Sequence, residues 1–67
     1  MLYSLTEHNG YWASCIQSDM AKGRTAQRAC NDTFQAILMM GRGPKEAMKV
    51  TIEAAYFAGV KEGDVRW

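Results

Sequence analysis

Glycine and proline partition this chain more strictly than any other feature of it. Gly10, Gly23, Gly41, Gly43 and Gly59 leave only short stretches between them for regular structure, because glycine loses the most backbone freedom on ordering and is favoured where a chain turns. Pro44, the single proline, lacks an N–H and suits the first position of a helix, where that donor has no partner anyway. A chain cut in this way folds as a few short elements around one core. At 67 residues the core is small, since a domain of about 60 residues hides only about 60% of the surface that its unfolded chain exposes. One domain over residues 1–67 is expected.

The first break, His8-Asn9-Gly10-Tyr11, carries the Asn-Gly pair favoured in a type I′ turn, flanked by strand-forming residues. Residues 2–17 therefore read as a β-hairpin, with strands at 2–7 and 11–17. Pairing across Asn9-Gly10 sets His8 opposite Tyr11 and Tyr3 opposite Ile16, and it gathers Tyr3, Leu5, Trp12 and Ile16 on one buried face.

Two helices are expected next. Thr25 is placed as the N-cap of a helix over 25–40, in which Ala26, Ala29, Cys30, Thr33, Phe34, Ile37 and Leu38 recur at three- and four-residue steps before Gly41 stops it. The second runs over 44–58, from Pro44 to Gly59. Its polar residues Lys45, Glu46, Lys49 and Glu53 form one narrow strip. Its apolar residues cover more than half of the circumference, which implies burial on two sides. Residues 61–67 read as a short helical turn or tail. The expected fold class is α+β: an N-terminal β-hairpin packed on two α-helices, with a short C-terminal helical turn.

Charge and composition exclude several functions. Eight basic against seven acidic residues give a net charge of +1, too little for an overall field that draws a chain onto phosphate backbones or anionic lipid. No stretch reaches the roughly 18–20 apolar residues of a membrane span, and Met1-Leu2-Tyr3-Ser4 has no signal-peptide pattern. A cytoplasmic protein is expected, with Cys15 and Cys30 reduced and acting as small hydrophobes. Neither cysteine belongs to a Cys-x-x-Cys pair and His8 is the one histidine, so no metal site or cofactor is expected. A His8–Cys15 dyad would need the two side chains together, and they lie far apart along the hairpin. Gly41-Arg42-Gly43-Pro44 before a helix could present N–H groups to phosphate with help from Arg42 and Lys45, but it lacks the Lys-Ser/Thr of a P-loop. The chain does not read as an enzyme.

Two stretches resemble known families. Asn9-Gly10-Tyr11-Trp12-Ala13-Ser14, followed by Gly23-Arg24-Thr25 and by Ala29 and Ala36, resembles the N-terminal domain of HicB-type antitoxins across residues 2–37. That resemblance implies a Gly-Tyr-Trp hairpin strand followed by a helix packed on a sheet. Ala55, Gly59 and Val65, with Ala54, Ala58 and Val60, resemble a truncated helix-turn-helix over residues 51–67, which implies Lys61 and Arg66 as DNA contacts beside Glu62 and Asp64.

Five methionines, two tryptophans, three tyrosines and two phenylalanines are more bulk than so small an interior accommodates, so some of them are expected at an interface. The expected function is protein–protein binding by a small non-catalytic chain, such as an antitoxin-like or phage-type inhibitor or an accessory subunit. Its partner is another protein or a second copy, and its expected contacts are Tyr11, Trp12, Met20, Met39, Met40 and Arg42. The alternative is a small DNA-binding regulator acting through Lys61 and Arg66.

Overall fold

The computed structural model describes residues 5–67, with side chains from Gly10 onward. The chain forms three α-helices: α1 over Leu5–Ala21, α2 over Ala26–Met39 and α3 over Pro44–Phe57. Each helix packs on the other two. Short connections between helices favour antiparallel neighbours, and three long-range hydrogen bonds place the helix ends. The Gln17 side chain donates to the Ala58 carbonyl at 3.3 Å, joining the C-terminal ends of α1 and α3. Gln27, at the start of α2, bonds Arg66, just beyond α3. The helices therefore run up, down and up. The end of α2 and the start of α3 lie at one end of the bundle, and the C-terminal segment lies at the other.

The expected α+β fold is overturned, because α1 occupies most of the hairpin's span and no strand occurs among the described residues. Residues 2–4 of the expected first strand lie outside the described residues. Gly10 does not have the positive φ that a type I′ turn requires. The physical reason lies in spacing. Trp12, Ile16 and Met20 recur at steps of four; the first two are buried and Met20 packs against the core. In a helix that spacing puts all three on one side, against both other helices. A lone two-stranded hairpin is marginal in water. Both readings bury Trp12 and Ile16; the helix adds Ala13 and Met20 to the same side, at the cost of one internal glycine, about 1 kcal/mol.

The helix ends follow local chemistry. Thr25 Oγ1 accepts from the Arg28 N–H at 3.1 Å and caps α2. Gly43 precedes Pro44 as the N-cap of α3, without a side-chain cap. Gly59 takes φ +86°. There the Val60 N–H reaches the Ala55 carbonyl at 3.0 Å and the Gly59 N–H reaches the Tyr56 carbonyl at 3.1 Å, the paired bonds of a Schellman stop. The same pattern closes α1, from Arg24 N–H to Asp19 and from Gly23 N–H to Met20. Of the two readings for 61–67, the tail holds and the short helical turn does not: Glu62 and Gly63 form a turn, Asp64 and Val65 a bend, and Val65 is buried.

The core is built from small residues. Ala13, Ala29, Ala47, Ala54, Ala55 and Ala58 are buried beside Trp12, Ile16, Cys30, Ile37, Val50 and Val65. Buried Thr51 satisfies its hydroxyl within α3 by donating to the Ala47 carbonyl at 2.7 Å. Alanine at the crossings lets the helix backbones approach closely, leaving little room inside for large side chains. The expected burial of α3 on two sides does not occur: Ala47, Val50, Thr51, Ala54 and Ala55 turn inward, whereas Ile52 and Phe57 remain exposed.

Candidate functional site

What the core cannot hold stands on the surface. Tyr11, Met39, Met40, Ile52, Tyr56, Phe57 and Trp67 are all exposed, and they fall into separate regions set by the helix order. Met39 and Met40 end α2, with Met39 87% exposed and Met40 59% exposed. Gly41, at φ +96°, turns the chain directly after them. Arg42 follows and forms an ion pair with Glu46 in the first turn of α3. This corner presents two flexible thioether side chains beside a guanidinium, a combination suited to an adaptable protein contact. It is poorly suited to phosphate, because Pro44 contributes no N–H and Glu46 already supplies the anion that a helix N-terminus favours.

The other expected contacts divide between surface and interior. Tyr11 lies in the N-terminal half of α1, exposed, with its ring edge-on to Trp12 at a centroid separation of 4.8 Å. Trp12 is buried and Met20 is partly buried against the core, so both serve the packing of α1. Lys61 and Arg66 are exposed in the C-terminal segment, in company with exposed Glu62 and Asp64. The Arg66 backbone is clasped by Gln27, whose Oε1 accepts from the Arg66 N–H at 2.7 Å and whose Nε2 donates to the Arg66 carbonyl at 3.3 Å. Gln27 thus ties this segment to α2 while Val65 inserts into the core.

A second apolar region escapes the sequence reading. Ile52 and Tyr56 on α3 join Val60, Val65 and Trp67 around a depression of about 130 Å³, with Lys61 and Glu62 at its edge. That volume is well below the roughly 300–1,000 Å³ of small-molecule sites, and it suits one side chain of a partner. The Tyr56 and Phe57 rings meet edge-on at 6.0 Å. The signal for this region was the apolar excess of α3 itself, which required a cover that the described residues do not supply.

Reactive groups are few. Cys30 is buried and its thiol pKa is raised by loss of hydration, which disfavours the nucleophilic thiolate; Cys15 is half-buried, and both are free thiols. No group of three or more His, Cys, Asp or Glu side chains able to hold a metal ion occurs among the described residues. The side chain of His8, and with it the dyad considered for His8 and Cys15, lies outside them. None of the described helices is long and apolar enough to cross a membrane. No family model matches this chain, and no curated protein or solved structure matches it.

Proposed function

We propose that this chain is a small non-catalytic protein that acts by binding another protein, in the manner of an antitoxin-like or phage-type inhibitor or an accessory subunit. One observation carries the reading: among the described side chains, six of twelve buried apolar residues are alanine and seven large apolar side chains are left outside. Scattered exposed apolar residues are ordinary on protein surfaces. Two consecutive methionines at the corner between two helices are a more specific feature, and methionine is favoured where a surface adapts to a partner. Met39 and Met40 are the anchors of the proposed contact, with Arg42 beside them and Tyr11 as a further exposed aromatic. Trp12 and Met20 act indirectly, by holding α1 in place. Nothing favours nucleic acid over protein, because Lys61 and Arg66 share their segment with Glu62 and Asp64.

The test is retention of a partner by the tagged chain and by the double variant Met39→Glu with Met40→Glu. Both positions are exposed, so the variant should keep the helical circular dichroism of the parent. The parent is expected to hold a stoichiometric partner that persists as salt rises, and the variant to lose it. A partner held equally by both removes these methionines from the contact, and a complex that dissolves steeply with salt points to nucleic acid instead.

A further inference from the structure

We propose that the face formed by α3 and the C-terminal segment is a two-fold interface between copies of this chain. The inference shares with the binding function the premise that exposed apolar side chains seek cover. It assigns a different occupant to a different face.

Three features of the face favour a second copy. The first is charge. Lys61 and Glu62 are adjacent at the edge of the depression and exposed, and neither forms an ion pair among the described residues. Two-fold symmetry lets the same patch meet itself, so Lys61 of each copy can face Glu62 of the other. A rim with one charge of each sign is neutral as a whole and complementary to itself across a two-fold axis.

The second feature is shape. Tyr56 is 79% exposed and Trp67 52% exposed at the margin of a depression with room for one side chain. A facing copy therefore brings a ring for each depression. The third is area. At about 150–250 Å² for a fully buried aromatic, the exposed parts of Tyr56 and Trp67 with Ile52 offer on the order of 350 Å², a little under half of the roughly 800 Å² that each partner gives to a standard interface.

Sedimentation and light scattering of the full chain from about 10 μM to 1 mM, a range that brackets weak to moderate self-association, test the interface. The parent is expected to approach twice its mass of 7.5 kDa, and Tyr56→Glu to remain at the single mass throughout. Lys61→Glu alone and Glu62→Lys alone each set like charges face to face and should weaken the dimer about tenfold. The double exchange Lys61→Glu with Glu62→Lys restores opposite charges across the two-fold axis and should return the dissociation constant to within about twofold of the parent.

A parent that stays at one mass over the whole range overturns the interface, as does a dimer indifferent to Tyr56→Glu. A dimer that the double exchange fails to restore overturns the pairing of Lys61 with Glu62. None of these outcomes touches the proposed contact at Met39 and Met40. A monomer that still holds a partner through the methionines leaves that function standing, and a dimer that binds nothing else does the reverse.

Discussion

Gly10 has the same covalent freedom in a hairpin and in a helix, but the two structures use it in opposite ways. In α1 its φ is not positive, and a β-carbon placed there meets nothing within 4 Å. Gly10→Ala should therefore stabilise the chain by about 0.5–1 kcal/mol by restricting the unfolded state and raising helix propensity. In a type I′ turn the same change would force alanine to positive φ and destabilise. Thermal unfolding followed by circular dichroism decides the sign, with about 4–8 °C expected per kcal/mol for a domain of this size. Cys30 gives a second test at this scale. Its thiol pKa is raised by burial, so the folded chain favours the neutral form. The associated stability is complete below the ordinary thiol pKa of about 8.5 and is lost as pH rises through the higher folded value, because the unfolded chain ionises first. Urea midpoints of the parent should fall, as pH rises above the ordinary thiol value, more steeply than those of Cys30→Ala. Alkylation of the folded chain at neutral pH should proceed at half-buried Cys15 before Cys30.

At the scale of elements, the helices whose boundary signals were unopposed were legible, and the one whose signals conflicted was not. Thr25 announces α2, Pro44 opens α3 and Gly59 closes it, and each of these signals works through a backbone group whose need is local. The first segment carries conflicting signals. Its Asn-Gly pair favours a turn, whereas the capping-box pattern Ser4-x-x-Glu7 and the spacing of Trp12, Ile16 and Met20 favour a helix, a preference that becomes decisive once α2 and α3 are present to bury that side. The burial of Trp12 follows from either reading, because both face it inward. The exposure of Tyr56 and Trp67 follows from neither, since it depends on how little volume the alanine crossings leave inside. The C-terminal segment is held by long-range contacts that no local pattern reveals: Val65 in the core and the Gln27 clasp on Arg66. Gln27→Ala removes both hydrogen bonds of the clasp, each worth about 0.5–1.5 kcal/mol. Faster amide exchange at Arg66, with the protection of α1 retained, is the expected result. Unchanged exchange at Arg66 would mean that Val65 alone anchors the segment.

For the molecule as a whole, the balance between core and surface sets both stability and association. Among the described side chains, six of the twelve buried apolar residues are alanine, and each contributes little beyond one methyl group, at about 0.8 kcal/mol per buried carbon. A bundle of this size with such a core is marginal alone. Covering Tyr56 and Trp67 with a second copy adds apolar burial of a kind that the interior lacks, so folding and pairing become linked equilibria. Linkage of this form makes thermal stability depend on protein concentration, because a ligand that binds only the folded state stabilises it according to its own abundance. Calorimetric scans of the parent between about 10 μM and 1 mM should show Tm rising by several degrees. The Tyr56→Glu chain should unfold at one temperature throughout, no higher than that of the parent at its most dilute. Parent scans that superimpose at every concentration would show that the three helices hold themselves together without help, and that the exposed rings are carried at no gain to folding.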